Sequence, residues 1–215
     1  MFVMKAKVGI VDCAISNLTS VLNAFHYIGV DAEVIRDPGG FKHCTHMVLP
    51  GVGSFATGIT NLEKSGFVTC IREWAWSGKP LIGMCLGMQL LAEEGEEFGP
   101  SEGLGLIPGR VVKIKTNGTA VRLPHVGWND VEILRSSRLL SGIKDPAVFY
   151  FVHSYGYDDP NAGYVTGVCQ YGGAQVAVIE QGNVFGTQFH PEKSQKHGLA
   201  LLRNFIALSD VKVSE

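Results

Sequence analysis

The sequence predicts a single α/β domain of three layers, with a central, mostly parallel sheet and antiparallel strands in the C-terminal half. Three observations indicate this fold. In the first half, short apolar strands alternate with amphipathic helices, as in parallel βαβ units. Those strands are almost continuously apolar, which is typical of a sheet covered on both faces. From about Gly105, short strands are instead separated by Gly, Asn and Asp turns, which favours antiparallel pairs.

The first half supplies four predicted strands and three helices. The first helix can begin at Asn17, because an asparagine side chain accepts a hydrogen bond from the free N–H groups of a first turn. It runs to about Tyr27, and a later helix contains Trp74 and Trp76 and ends near Gly78. The predicted strands are residues 8–12, 32–35, 46–49 and 80–84, and residues 88–92 form the helix after the fourth strand.

The second half is predicted to be mainly strands, closed by one helix over residues 195–208. No repeat, low-complexity tract or linker interrupts the chain, so residues 1–215 are expected to form one domain. The strands of this half are predicted at residues 111–114, 130–133, 148–152, 164–168, 175–179 and 184–188.

The composition is that of a globular protein with a well-buried core. Of the 215 residues, 46% are apolar and 18% are charged, which argues against disorder. A net charge of −2 gives no support for nucleic-acid binding, which usually requires a basic surface. No apolar run is long enough to cross a bilayer, and residues 1–7 lack the features of a signal peptide. We therefore expect a soluble cytoplasmic protein with no nucleic-acid or membrane partner.

The five cysteines are odd in number, scattered, and never spaced as C-x-x-C. This usage indicates neither a disulfide framework nor a zinc site, and no metal or organic cofactor is expected. In a reducing compartment most such thiols are small buried hydrophobes. A functional cysteine must therefore be recognised from its local context.

Cys85 has such a context. It lies in the sequence Gly-Met-Cys-Leu-Gly, residues 83–87, between an apolar strand and a helix. This is the setting of a nucleophile elbow, in which a sharp turn strains the backbone and flanking glycines prevent collisions. A helix N-terminus also favours a thiolate. The alternative is a buried cysteine between two packing glycines.

A thiolate nucleophile needs a base, and the base needs an orienting group. The segment Gly-Thr-Gln-Phe-His-Pro-Glu, residues 186–192, offers both. His190 follows an apolar strand, and Glu192 could hold one ring nitrogen while the other faces Cys85, as in a catalytic triad. The alternative is a purely structural His-Pro turn. His125 and His153 have no carboxylate close in sequence.

A glycine-rich turn, residues 50–53, ends the third strand. Backbone N–H groups of such a turn can stabilise a developing oxyanion, and open α/β sheets bind ligands at the carboxyl ends of their strands. A phosphate-binding turn is the alternative, but the spacing fits neither G-x-G-x-x-G nor a P-loop. The turn should lie beside Cys85 if the third and fourth strands are neighbours.

These segments, in this order, resemble class I (triad-type) glutamine amidotransferases. More narrowly, the chain resembles the glutaminase subunits of imidazole glycerol phosphate synthases, from Val8 to about Leu208. The turn, the elbow and the His-Pro-Glu segment are shared widely within class I. Two further segments, Pro-His-Val-Gly-Trp-Asn at 124–129 and Phe-Val-His-Ser-Tyr at 151–155, point to the narrower group.

The resemblance implies a glutamine-hydrolysing enzyme that acts through a covalent thioester. Cys85 would attack the side-chain amide, His190 would pass a proton to ammonia and then activate water, and Glu192 would orient His190. Oxyanion N–H groups would come from Gly51, Val52 and Leu86, and the glutamine would contact Gln89, Glu97, His153, Ser154 and Tyr155. Glu97 stands among several glutamates, so a solvated acidic turn is its alternative.

The resemblance also implies a heterodimer with a (β/α)8-barrel cyclase subunit that receives the ammonia in histidine biosynthesis. Trp128 suits such an interface because tryptophan offers a large rigid apolar area, although an ordinary core tryptophan is the alternative. The residues expected at the interface are Asn17, Pro124, His125, Val126, Trp128 and Lys193.

One segment departs from the family. Where relatives carry Asp-Tyr-Gly-x-Gly-Asn, this chain has Asp12-Cys13-Ala14-Ile15-Ser16-Asn17, so two glycines and an aromatic residue are missing. The change leaves a second hypothesis open, a paralogous subunit that supplies ammonia to a synthase amidating a sugar nucleotide for surface polysaccharide. A third hypothesis is a non-catalytic regulatory subunit, against which the intact Cys85, His190 and Glu192 argue.

Overall fold

The computed structural model describes residues 6–12, 17–116, 118, 121–144 and 146–208. The departure from the family at residues 13–16 lies outside these residues. Within the described part of the chain, no helix is long and apolar enough to cross a membrane.

Thirteen strands and five helices make up the described part of the chain. The strands are β1 (Lys7–Val11), β2 (Asp31–Ile35), β3 (His46–Gly51), β4 (Leu81–Cys85), β5 (Glu94–Gly95), β6 (Ser101–Glu102), β7 (Arg110–Lys113), β8 (His125–Ile133), β9 (Ala147–His153), β10 (Tyr155–Tyr157), β11 (Val165–Gln170), β12 (Ala174–Gln181) and β13 (Val184–Thr187). The helices are α1 (Leu18–Tyr27), α2 (Phe55–Lys64), α3 (Phe67–Trp76), α4 (Leu86–Leu90) and α5 (Gln195–Ile206). The described residues also contain two short 3-10 helices, Pro38–His43 and Pro191–Lys193.

One large mixed sheet of nine strands organises the fold, in the order β2-β1-β3-β4-β13-β12-β11-β8-β9. The strands from β2 to β13 pair in parallel, and those from β13 to β9 pair antiparallel. The predicted α/β class is confirmed, and the antiparallel half continues the same sheet. A second sheet, β10-β7-β5-β6, contains the strand predicted at 111–114.

Two apolar clusters lie on opposite faces of the large sheet, so the predicted three-layer arrangement is confirmed. Along β3, Met47 and Leu49 belong to one cluster, and Val48 between them belongs to the other, as the alternation of side chains along a strand requires. Helices α2 and α3 cover the first face, and α1 and α5 cover the second. Both faces of the parallel strands are therefore excluded from solvent, which explains why their sequences are almost continuously apolar.

Local signals account for the limits of the helices. Asn17 caps α1 as predicted, since its Oδ1 accepts from the N–H of Ser20 at 3.4 Å. The sequence interpretation located α3, which contains Trp74 and Trp76, but missed α2 before it. Gly66 separates the two helices with a φ of +73°, a backbone shape that glycine adopts at little cost.

Three strands bring the predicted chemistry to one edge of the sheet. The register pairs Gly51 at the end of β3 with Cys85 at the end of β4. It also pairs Thr187 at the end of β13 with Met84, so the segment that carries His190 leaves the sheet beside Cys85. The strand β4 is thus flanked by the glycine turn on one side and the histidine segment on the other.

Candidate active site

Cys85 lies at the bend between β4 and α4. Its backbone has φ +55° and ψ −114°, a strained combination for a residue with a side chain. The residue is almost fully buried, and its Sγ lies 3.8 Å from the carbonyl oxygen of Val152 on β9. The predicted elbow geometry is therefore present. The helix that follows has only five residues, so the support that its dipole gives a thiolate is smaller than the sequence suggested.

The glycines of the elbow are required by close backbone contacts. A Cβ on Gly87 would collide with the carbonyl oxygen of Leu49 on β3, and one on Gly83 would collide with the carbonyl group of Gly87 itself. These contacts let α4 leave β4 directly against the neighbouring strand. The same contacts hold Cys85 at the edge of the sheet, where it lines a cavity.

His190 and Glu192 form a buried pair, in the contact expected if Glu192 holds one ring nitrogen. Nδ1 of His190 lies 2.8 Å from Oε1 of Glu192, and the two side chains are only 5% and 2% exposed. The His190 backbone is fixed on β9, because its N–H donates to the Tyr150 carbonyl at 3.0 Å. Ser194 bridges the same two backbone segments: its Oγ donates to the carbonyl of His190 at 2.6 Å and accepts from the N–H of Tyr150 at 3.0 Å.

The second ring nitrogen of His190 is available to Cys85. Nδ1 is committed to Glu192, and Nε2 is buried with no hydrogen-bond partner of good geometry in the described part of the chain. Burial disfavours the charged ring, but the neighbouring Cys85 and the Glu192 carboxylate favour it more strongly and raise the pKa of His190 to about 9. Cys85 and Glu192 therefore both favour the protonated ring, which is the form that can give a proton to a leaving group.

The predicted oxyanion residues surround Cys85. Gly51 packs against Leu86 and Gly87 so closely that an added Cβ would lie 3.0 Å from the Cβ of Leu86. Val52 follows it on the exposed side, and Gly53 continues the turn with φ +99°. Leu86 is buried directly after the cysteine. Three backbone segments thus meet at the thiol, and their role as oxyanion donors stays a prediction.

A cavity of about 410 Å³ opens onto Cys85. Its volume suits a small amino acid and falls within the range of ligand pockets. All five residues predicted to contact glutamine line it, together with Val52 and Leu86. Pro124, which was predicted to contact a partner, also lines it. The lining residues are Val52, Gly53, Ser54, Cys85, Leu86, Gln89, Glu97, Phe98, Pro124, Val152, His153, Ser154 and Tyr155.

Glu97 is fixed at the rim of this cavity rather than free in a solvated turn. Its Oε2 accepts from the N–H of Phe55 at 2.9 Å, which satisfies a free donor at the start of α2. Phe98, beside it, is a lining residue that the sequence reading missed. It is 87% exposed with φ +63°, and only the following glycine hints at such a turn.

A chain of hydrogen bonds runs behind the cavity through two buried histidines. Nδ1 of His153 lies 2.9 Å from the carbonyl oxygen of Tyr155, and Nε2 lies 3.1 Å from Nδ1 of His125. Asn129 reaches the far nitrogen of His125 at 3.3 Å. Burial lowers the pKa of each histidine to about 4, so both rings are neutral. His125 was expected at a partner surface, but it is buried and stacked between Phe151 and Tyr171, because odd positions of β8 near its start face inward.

The other expected interface residues are at the surface. Val126 and Trp128 project from β8 and are paired in register with Val152 and Tyr150 on β9. Lys193 lies with its Nζ 6.0 Å from the centre of the Tyr150 ring. Pro124 and Asn17 are also exposed. The result is an apolar outer face on β8 and β9, next to the carbonyl of Val152 that contacts Cys85.

No group of three or more His, Cys, Asp or Glu side chains in the described residues could hold a metal ion.

Comparison with known proteins agrees with this geometry. The family model for class-I glutamine amidotransferase matches residues 9–208. The HisH subunit of imidazole glycerol phosphate synthase from Desulfitobacterium hafniense is 44% identical over 198 residues, covering 92% of each chain. A Campylobacter jejuni protein named HisH 1 of the same synthase is 43% identical over 202 residues, which is 94% of this chain and all of that one.

Solved structures show the same fold at lower identity. A glutamine amidotransferase crystal structure matches with a TM-score of 0.72 and 20% identity, covering 93% of this chain and 96% of that one. A chain of the structure of PurLQS from Thermotoga maritima matches with a TM-score of 0.73 and 19% identity, covering 94% and 98%. With the matched family model and the relatives above 40% identity, the chain belongs to the class-I glutamine amidotransferase family.

Proposed function

We propose that this chain is the glutaminase subunit of an imidazole glycerol phosphate synthase and acts in the cytoplasm in histidine biosynthesis. The observation that supports it most directly is the cavity of amino-acid size that opens onto Cys85, with the buried His190–Glu192 pair on the segment that leaves the sheet beside this cysteine. Relatives that match over nine tenths of the chain are named as the HisH subunit of that synthase.

The reaction follows from the positions of the three side chains. The thiolate of Cys85 attacks the side-chain amide carbon of glutamine, and backbone N–H groups near Gly51, Val52 and Leu86 stabilise the oxygen that becomes negative. His190 gives its Nε2 proton to the departing nitrogen, so ammonia leaves and a thioester remains. His190 then takes a proton from water, which attacks the thioester and releases glutamate and the thiolate. Glu192 holds the ring by Nδ1 throughout, which keeps Nε2 turned to the reacting atoms.

The ammonia passes to a (β/α)8-barrel cyclase subunit in a heterodimer. The apolar outer face of β8 and β9 supports this step, because Trp128 and Val126 leave apolar area open beside the strand that contacts Cys85. An exposed aromatic residue surrounded by apolar neighbours is typical of a binding hot spot. Lys193 and Pro124 extend the same region toward the His190 turn and the cavity.

A cysteine substitution tests the chemistry against a matched control. In the complex with the cyclase subunit, Cys85→Ala should abolish glutamine hydrolysis while the two subunits still co-purify. Cys169→Ala is the control, because Cys169 on β11 is also buried but lies within an apolar core cluster. Full glutaminase activity in Cys85→Ala would sink the triad assignment.

Complementation tests the pathway separately. The chain should restore histidine-independent growth to a strain that lacks its own HisH subunit, and the Cys85→Ala variant should not, unless ammonia is supplied in excess. Failure of the unaltered chain, with normal glutaminase activity in another synthase complex, would favour the polysaccharide paralogue instead.

A further inference from the structure

Gln188 and Gln89 form a buried amide pair behind the cavity. Gln188 follows β13 and is completely excluded from solvent, while Gln89 on α4 lines the cavity wall. Nε2 of Gln89 lies 3.0 Å from Oε1 of Gln188 and 2.8 Å from the carbonyl oxygen of Tyr155. Gln188 takes part in no step of the proposed reaction.

These two contacts decide which end of the Gln89 amide faces the cavity. A backbone carbonyl oxygen can only accept, so the NH2 group of Gln89 must point to Tyr155. That group has two N–H bonds, and the second is taken by Oε1 of Gln188. Both donors are thereby committed behind the cavity wall. Oε1, which can only accept, is the atom that Gln89 offers to a ligand.

The position of the Tyr155 carbonyl is fixed independently. It also accepts from Nδ1 of His153, whose Nε2 accepts from Nδ1 of His125. With Tyr155 alone, the Gln89 amide would have a single hydrogen bond about which to pivot. The acceptor of Gln188 supplies the second point that stops the rotation.

We propose that Gln188 is a positioning residue that holds the Gln89 amide with its oxygen toward the α-ammonium group of glutamine. Glutamine is the ligand only if the proposed function holds, so the assignment rests on it. An ammonium group has donors and no acceptor, so an amide oxygen attracts it and an amide NH2 group does not. Gln188 therefore favours an amino acid over an analogue that lacks the amino group.

Three variants separate this role from simple packing. Gln188→Leu removes the acceptor but fills the space. Gln188→Glu keeps an oxygen toward Gln89, and because burial raises the pKa of a carboxyl group, it stays neutral and close to the amide in shape. Thr187→Val is the control: Thr187 is also fully buried, but its hydroxyl donates to the carbonyl of Phe189 at 3.1 Å rather than to Gln89.

In the complex with the cyclase subunit, Gln188→Leu should raise KM for glutamine about tenfold, the effect of losing one hydrogen bond, and leave kcat within about threefold. Gln188→Glu and Thr187→Val should leave KM within about twofold. Calorimetric titration of the Cys85→Ala complex should show about tenfold weaker glutamine binding when Gln188→Leu is added. Binding of glutaramate, which is glutamine without its amino group, should change by less than about twofold.

An unchanged KM in Gln188→Leu, an equal loss of affinity for both ligands, or the same KM change in Thr187→Val would overturn the proposal. If Gln188→Leu does not fold, Gln188→Asn replaces it, since its shorter side chain cannot reach Gln89 and the same KM rise is expected. The proposed function fails separately if the unaltered complex binds glutamine but does not hydrolyse it. The two titrations still decide the role of Gln188 in that case.

Discussion

Nδ1 of His190 lies 2.8 Å from Oε1 of Glu192, and both side chains are almost completely shielded from solvent. Shielding alone would lower the pKa of the imidazole, yet the contacts with Cys85 and Glu192 raise it to about 9. The folded chain therefore binds a proton at His190 more tightly than the unfolded chain does. The stability of the fold is therefore linked to the protonation of this one ring.

The first prediction concerns the pH dependence of stability. The raised pKa of His190 adds on the order of 3 kcal/mol to the free energy of unfolding. This contribution is fully present below about pH 6.5 and is lost as the pH rises through about 9. Urea unfolding between about pH 6 and 10 should show this decline. In His190→Asn the titrating ring is gone, so the same range should show a flatter profile. If the free energy of unfolding falls equally with pH in the unaltered chain and in His190→Asn, the raised pKa of His190 is contradicted.

Glu192→Gln should lower the pKa of His190, because it removes one of the two partners that raise it. The expected results are a stability decline that begins at lower pH and a kcat at least about a hundredfold lower, the usual range for an orienting group in a triad. The matched substitution Glu180→Gln, in a carboxylate that pairs with Arg138 outside the cavity, should leave kcat unchanged. Unchanged activity in Glu192→Gln would remove Glu192 from the mechanism.

The elbow gives a prediction about folding. A Cβ on Gly87 would collide with the backbone carbonyl of Leu49, which cannot move without displacing β3. Gly87→Ala should therefore lower the free energy of unfolding by about 3 kcal/mol or more, or prevent folding. Gly163→Ala is the control, since Gly163 is exposed with no atom near the added Cβ, and it should change stability by less than about 0.5 kcal/mol. Urea denaturation measures both, and equal stability in the two variants would disprove the packing account.

Much of the site could be predicted because its signals are local in sequence. The glycines around Cys85 and the spacing of His190 and Glu192 each fit within one short segment. The parallel half of the sheet was predictable for a similar reason. Strands that are buried on both faces are almost continuously apolar, and that pattern stands out in the sequence. The strand predicted at 130–133 covers only the end of β8, because Gly127 and Asn129 in its first half are of residue types depleted in strands.

What could not be predicted are contacts between distant segments. Gln188 meets Gln89 only because β13 packs beside β4, and His153 meets His125 only through the register of β8 and β9. Neither pair has a spacing or composition that marks it in the sequence. The fold therefore adds the buried network behind the cavity wall, while the proposed nucleophile and base each stand in a short sequence motif.

The glycine turn after β3 gives a prediction about activation. Val52 is exposed and Gly53 has φ +99°, so the turn is open to the surface where a partner is expected. We expect the free chain to hydrolyse glutamine far more slowly than the complex, because the partner completes the oxyanion geometry. A free chain as fast as the complex, in steady-state assays at saturating glutamine, would rule this out.

Gly53→Ala tests the turn itself. A side chain at positive φ is strained by about 1 kcal/mol, so the turn should shift and kcat in the complex should fall at least about tenfold. Gly29→Ala is the control, because Gly29 has φ +80° at an exposed position with no atom near the added Cβ. Both variants should lose similar stability. An equal loss of kcat in both would show that strain anywhere, rather than the turn, limits activity.

The last prediction concerns the apolar outer face of β8 and β9. Trp128 is 49% exposed and packs edge-on against Tyr150 at 5.8 Å, whereas Trp76 on α3 is 69% exposed. Because neither side chain is fully buried, alanine at either position should change the free energy of unfolding by only about 1 kcal/mol or less. In binding to the cyclase subunit the two should differ: Trp128→Ala should weaken the complex by about 2 kcal/mol, roughly thirtyfold in Kd, as for an interface hot spot. Trp76→Ala should leave Kd unchanged. Surface plasmon resonance with immobilised cyclase measures both, and equal affinities for the two variants would place the interface elsewhere on the molecule.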